Sequence, residues 1–282
     1  MSLDQPNAFV KHQTVTRDAF LGGRLTLSQP ARGFRAGLDS VLLGAAVAVG
    51  RQRLLDLGSG VGTASLVALT HNPGLHATLA EQDPDMLALA QANIANNGFS
   101  ARATALTADV TARGATRIAA GLTENAFDTV IANPPFFDDA AGTLAENSSR
   151  AGARHMDATA LDLWVKTAAT SAAGGAEIIF IYPAHALAPL LAAFSQRFGA
   201  ITVLPLTPRP DAPASRILIR ATKGSRAPLT LLASRPLHDL EGRAFTPAFD
   251  AIFRGEQRLV WQSGAQTPKS AAMHGEDETW PR

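Results

Sequence analysis

Asn133-Pro134-Pro135-Phe136 follows directly on the apolar run Phe127-Asp128-Thr129-Val130-Ile131-Ala132. A β-prone apolar run reads as a buried strand. Two prolines then end it, since neither donates a backbone hydrogen bond and each fixes its own φ. At the strand's carboxyl end this leaves an amide side chain, rigid backbone carbonyls and an aromatic ring. Those parts suit a planar amine: acceptors for its N–H groups and a face for its ring. The same residues would also make an ordinary strand-terminating turn, so the rest of the chain must decide.

Some seventy residues upstream, Leu54-Leu55-Asp56-Leu57-Gly58-Ser59-Gly60-Val61-Gly62 runs a strand into a glycine-rich turn that opens a helix. Ligands of open α/β sheets bind at the carboxyl ends of strands, and glycine lets backbone approach them without a Cβ in the way. Glu81 ends the next strand about twenty-five residues after Asp56, where an acid can accept both hydroxyls of a ribose. Asp109 follows the third strand, placed to accept from an adenine amine or to cap a turn. Each acid alone reads as a cap or a solvated loop residue. In series, with Asn133 after the fourth strand, they line one edge of one sheet.

The elements that must position these residues alternate. Strands are expected at 53–57, 76–81, 104–107, 127–132, 176–181, 200–206 and 216–221. Helices are expected near 63–70, 84–96, 113–120, 158–173 and 186–197. Such alternation means a mostly parallel sheet covered on both faces. Asp83 followed by Pro84 is a strong helix start. The last two strands are joined only by Thr207–Ser215, too short and proline-rich for a helix, so one strand runs antiparallel. A seven-stranded, mostly parallel sheet ending in that hairpin resembles the class I methyltransferase (Rossmann-like) fold. Ahead of it, Gly22-Gly23 between two strand-like arms predicts a β-hairpin. Asp39 is placed as the N-cap of a helix over Val41–Val49. Three regions follow: 1–52, hairpin and helix; 53–262, the catalytic domain with its extension; and 263–282, a tail without periodicity that reads as disordered.

The bulk numbers restrict the function. A chain of 282 residues, 46% hydrophobic, buries a sizeable core. It has no run long and apolar enough for a membrane helix and no recognisable secretory signal. Its lack of cysteine excludes disulfides and cysteine–zinc sites, the histidines are scattered, and no metal is expected; the cytoplasm is the expected compartment. Net charge is +1, unevenly spread. Residues 1–53 carry seven Lys/Arg against three Asp/Glu, 54–206 seven against thirteen, and 207–282 eleven against eight. An acidic middle between basic flanks suits a small-molecule site whose polyanionic partner docks on the ends; a solvated arginine-rich surface gives the same counts.

The series Asp56-Leu57-Gly58-Ser59-Gly60-Val61-Gly62, Glu81, Asp109 and Asn133-Pro134-Pro135-Phe136 resembles the S-adenosylmethionine-dependent amino-methyltransferases. The leader Phe20–Leu25 with Gly33–Gly44, and the stretch Ala153-Arg154-His155-Met156 to Trp164, resemble the bacterial tRNA1(Val) (adenine(37)-N6)-methyltransferase family, over roughly residues 15–260. The resemblance implies S-adenosyl-L-methionine as cofactor and a tRNA as partner. It implies that Asn133 and Pro134 accept the two N–H bonds of an exocyclic amine, that Pro135 rigidifies and that Phe136 stacks on the base. Asp56, Gly58, Gly60 and Gly62 would surround the methionine portion, Glu81 the ribose and Asp109 the adenine. Arg35 is a candidate for the methionine carboxylate, and Arg150, Arg154 and Arg209 for RNA phosphates. The tetrapeptide also serves guanine-N2 or protein-glutamine N5 methylation, though the glutamine enzymes usually carry tyrosine where Phe136 stands. An NAD-binding Rossmann oxidoreductase would share the glycines and an acid, but Gly58–Gly62 lacks the Gly-x-Gly-x-x-Gly spacing. A non-catalytic RNA-binding module is the remaining alternative.

Overall fold

The structure is a computed structural model describing residues 14–32, 35–135 and 158–261. The strands are β1 (Val15–Phe20), β2 (Leu25–Pro30), β3 (Arg53–Leu57), β4 (His76–Glu81), β5 (Ala103–Thr107), β6 (Phe127–Ala132), β7 (Ala172–Pro183), β8 (Phe198–Thr207), β9 (Arg216–Lys223), β10 (Thr230–Leu231) and β11 (Arg235–Pro236). The helices are α1 (Leu38–Ala45), α2 (Thr63–His71), α3 (Pro84–Asn96), α4 (Gly114–Ala119), α5 (Ala158–Ser171), α6 (Leu187–Ser195) and α7 (Pro247–Phe253).

The main sheet runs β10-β8-β9-β7-β6-β3-β4-β5, with β11 also on β8. Within this sheet, among the described strands, only β9 runs against its neighbours. It has nine strands, not the expected seven, because β10 and β11 each add two residues to the outer side of β8. Two-residue strands carry no periodic signal; here they shield backbone groups that β8 would otherwise present as an open edge.

Side chains alternate across the strands. Leu54, Ile131, Ile179 and Ile181 join the core under α1, α2 and α3. Leu55, Leu57, Val130, Ile178 and Phe180 join a second core with Leu161, Trp164 and Val165 of α5 and Leu190 and Phe194 of α6. The hairpin β1–β2 has the expected glycine turn: Gly22 and Gly23 take φ +63° and +90°. Leu21, Leu25 and Leu27 sink into the first core.

The start of α1 also differs from expectation. The N-cap of α1 is Gly37, and α1 ends at Ala45, short of Val49. Asp39 lies inside the first turn, where its carboxylate accepts from Arg216 Nε at 2.9 Å. Arg216 opens the antiparallel strand β9, so this pair fixes the start of α1 at the carboxyl edge of the parallel strands. The ends of the chain, 1–13 and 262–282, lie outside the described residues, and with them the tail expected to be disordered.

Candidate active site at the carboxyl edge of the sheet

Strand register brings the predicted residues into one row. Leu57 lies level with Ala80 of β4 on one side and with Ala132 of β6 on the other. The next residue on each strand is Gly58, Glu81 and Asn133. Adjacent strands are about 4.8 Å apart, so Glu81 and Asn133 flank the glycine turn across roughly 10 Å. Glu81 is also level with Thr107, two residues before Asp109.

The turn depends on glycine at three points. Gly58, Gly60 and Gly62 take φ +63°, +55° and +89°, a region that L side chains rarely adopt. A Cβ on Gly58 would overlap the ring of Trp164, and one on Gly62 would press on Leu79. Nothing stands within 4 Å of where a Cβ on Gly60 would be. The turn is pinned by Ser59 N–H to Ala80 O (3.0 Å), Gly62 N–H to Ser59 O (2.9 Å) and Gly60 N–H to Glu81 Oε2 (2.8 Å). Glu81 Oε1 accepts from the backbone of Gln82 and Asp83 at 2.8 and 2.9 Å. An ionised carboxylate has about four acceptor positions; Glu81 keeps capacity for a further donor.

Asp56 is 2% exposed and lies in β3, two residues before Gly58. Its Oδ2 accepts from Ser65 Oγ of α2 at 2.8 Å. Burial pushes its carboxyl up from 3.8 to about 7; the Ser65 bonds oppose this and the charge of Glu81 adds to it. Asp109 is exposed, and its Oδ1 accepts from both Thr111 N and Oγ1 at 2.8 and 2.6 Å. It caps a turn, and Oδ2 accepts nothing among the described residues.

Pro134 is buried and Pro135 exposed. Three buried polar atoms at this edge have no hydrogen-bond partner among the described residues: Asn133 Oδ1, Ser59 Oγ and Thr63 Oγ1. Buried polar groups are almost always bonded, so a cluster of exceptions at one sheet edge fits a ligand carrying N–H, hydroxyl and charged groups. Three calcium- or zinc-type ligands do not converge anywhere among the described residues, and no described helix is long and apolar enough to cross a membrane.

Two predicted arginines have other partners. Arg35 pairs with Asp18 at 2.6 Å and donates to Thr16 Oγ1 and Pro30 O. The hairpin holds it, and the structure gives it no contact with the glycine turn. Arg209 donates to the carbonyls of Asp239, Leu240 and Gly242 at 2.6–2.8 Å, which ties the β8–β9 loop to a neighbouring loop. A phosphate would have to compete with those carbonyls. Phe136, Arg150 and Arg154 lie outside the described residues. Sequence reading missed Ser65 as the partner of Asp56 and Trp164 as the floor beneath Gly58; both follow from helix packing, which leaves no local signal.

A model of the methyltransferase small domain matches residues 38–164. The chain is 33% identical over 172 residues to the tRNA1(Val) (adenine(37)-N6)-methyltransferase of Shewanella loihica, covering 60% of this chain and 69% of that protein. The chain belongs to this family. The protein of that name from Trichodesmium erythraeum is 25% identical over 240 residues, 82% of this chain and 94% of that one. Other family members are spanned less fully: 65% of the Haemophilus influenzae protein at 32% identity and 47% of a Flavobacteriaceae protein. Among solved structures, an Agrobacterium tumefaciens protein described as a predicted O-methyltransferase superposes with a TM-score of 0.67 at 32% identity, over 78% of this chain and 98% of that one. The fold is that of the class I methyltransferases, as the alternating strands and helices and the hairpin with its antiparallel strand led one to expect.

Proposed function

We propose that the protein transfers a methyl group from S-adenosyl-L-methionine to the exocyclic amine of a nucleobase in RNA, with N6 of adenosine 37 of a tRNA as the favoured acceptor. The observation that carries this reading is Asn133 Oδ1, a buried acceptor without a partner among the described residues, one strand away from the glycine turn. Membership of the tRNA methyltransferase family supports the acceptor.

Bound S-adenosylmethionine supplies an electrophilic methyl group. Gly58, Gly60 and Gly62 would give it a turn without side chains, Ser59 and Thr63 would offer their unpartnered hydroxyls to its amino-acid portion, and Glu81 would accept from the ribose. Asp109 would accept from its adenine amine, and Asp56 ties β3 to α2 through Ser65. An adenine amine is a weak nucleophile because its lone pair is delocalised into the ring. Asn133 Oδ1 and the Pro134 carbonyl would each accept one of its N–H bonds, which would move electron density onto nitrogen and orient it for attack. By the family resemblance, Phe136 would stack on the base. No strong base is needed before attack, since the proton leaves from the methylated nitrogen. Positioning and electrostatics carry the rate. A base in an anticodon loop is already single-stranded, which lowers the cost of turning it into the site.

The test is incubation with labelled S-adenosylmethionine and unmodified total tRNA or rRNA, followed by nucleoside analysis. N6-methyladenosine in one tRNA is expected, and Asn133→Ala should lower kcat by about 100-fold or more while S-adenosylhomocysteine still binds. N2-methylguanosine would move the assignment to a guanine acceptor. Stabilisation by NAD but not by S-adenosylhomocysteine would overturn the methyltransferase reading, and full activity of Asn133→Ala the role of that residue.

A further inference from the structure

Two asparagines four residues apart, Asn93 in α3 and Asn97 at its C-cap, take the place of a missing β-strand. The outer edge of β2 presents the backbone groups of Thr26 and Ser28. Asn97 Oδ1 accepts from Thr26 N–H at 3.0 Å, and its Nδ2 donates to Thr26 O at 2.9 Å. Asn93 does the same for Ser28, at 2.7 and 3.0 Å. The spacing explains why this works. Four residues of helix rise about 6 Å, and two residues of strand rise about 6.8 Å, so amides at i and i+4 meet alternate residues of one strand edge.

The two asparagines differ in where their second N–H goes. Asn97 Nδ2 returns to its own helix, at Asn93 O (2.8 Å). Asn93 Nδ2 donates to Val61 O (3.0 Å), inside the glycine turn between Gly60 and Gly62. Asn93 is fully buried, and both its donors and its acceptor are engaged. The connection continues beyond Ser28. The neighbouring Gln29, 1% exposed, accepts from Ala36 N–H at 2.8 Å and donates to Asp18 at 2.9 Å, and Asp18 holds Arg35. Ala36 and Gly37 deliver the chain into α1, whose first turn is pinned at the carboxyl edge by the Asp39–Arg216 pair.

From this we infer that Asn93 is a positioning residue that couples the glycine turn to the N-terminal hairpin, so that ligand binding at the turn orders β2 and the 35–37 segment at the rim of the site. The inference rests on the proposed S-adenosylmethionine site. Asn97 is its internal control, because it grips the same strand with the same geometry and makes no contact with the turn.

Hydrogen exchange of the Thr26 and Ser28 amides, measured on the wild-type protein with and without S-adenosylhomocysteine, reads the coupling directly. Slower exchange of both amides on ligand addition is expected. Asn93→Asp keeps the acceptor for Ser28 N–H and loses both donors. It should bind S-adenosylhomocysteine about ten-fold more weakly, the worth of one buried hydrogen bond, and lose the ligand-dependent protection. Asn97→Ala should loosen the hairpin and lower Tm, yet keep the affinity within about two-fold and keep the protection at Ser28. Wild-type protection that does not respond to the ligand overturns the coupling, even if Asn93→Asp does not fold. Equal affinity losses in the two variants would also overturn it, reducing Asn93 to a hairpin brace. Failure of the wild type to bind S-adenosylhomocysteine at all is a separate outcome that removes the methyltransferase reading underneath.

Discussion

Asp56, expected beside the methionine portion of a cofactor, is bonded within the fold to a helix side chain. Its side chain faces the α2 side of the sheet, with Ser65 as its partner. Burial raises its carboxyl to about 7, so the folded chain holds a proton there that the unfolded chain releases near pH 4. Between those values the native state binds more protons, and stability from this group falls as pH rises. It is fully present below about pH 4 and gone above about pH 7. A shift of this size in a buried group is worth a few kcal/mol, on the order of 1.4 per pH unit. Asp56→Asn retains an oxygen to accept from Ser65 and cannot ionise. Urea unfolding should show the variant gaining on the wild type as pH rises from 5 to 8. Parallel stability profiles for the two proteins across that range would mean that Asp56 does not carry the shifted proton.

At the scale of elements, much of the sheet was legible because apolar runs and helical stretches alternate. The expected bounds of β3, β4, β6 and α3 match those observed. The row Gly58, Glu81 and Asn133 was legible for the same reason: each stands at or just past the carboxyl end of a buried strand. What stayed hidden depends on contacts between distant segments. The partner of Arg209 is a loop some thirty residues further on. The pairing of Asp39 with Arg216 joins residues 177 apart, so local sequence suggested a cap where a distant arginine is the partner. Helix packing is similarly silent until seen. Gly44 of α1 faces α2 so closely that a Cβ would run into Ala64 O and the Val67 side chain. Gly44→Ala should therefore cost about 1–3 kcal/mol by overpacking. Gly74→Ala, with no atom within 4 Å of the new methyl, should stay within about 0.5 kcal/mol of wild type. Chemical denaturation of both variants checks the contrast. A Gly44→Ala protein as stable as Gly74→Ala would show that α1 and α2 can slide apart freely.

At the scale of the molecule, the two basic flanks of the chain meet. Arg24 of the hairpin turn donates to Gly255 O at 2.5 Å, and Gly255 packs against Leu21. The segment after α7 then closes the carboxyl end of α1, where helix carbonyls lack partners of their own. Leu259 N–H donates to Ala45 O at 3.0 Å, Trp261 Nε1 to Ala46 O at 3.1 Å and Arg258 to Val47 O at 3.1 Å. Phe249, Ile252, Leu259 and Trp261 share one core with the hairpin and the central strands, and Arg220 of β9 stacks over the Trp261 ring at 4.6 Å. The last described residues are thus part of the clamp on α1, the helix whose other end borders the site. Trp261 separates the polar and apolar parts of that clamp. Trp261→Phe keeps an aromatic face but leaves Ala46 O without its donor, which should cost about 1 kcal/mol. Trp261→Ala also removes the packed ring and should cost about 3–5 kcal/mol. If α7 and the segment after it fold as one unit with the core, each variant moves a single unfolding transition, followed alike by tryptophan-independent circular dichroism and by calorimetry. An early separate transition in Trp261→Ala, with the main one unmoved, would show instead that the carboxyl segment is an independent appendage and that α1 is held without it.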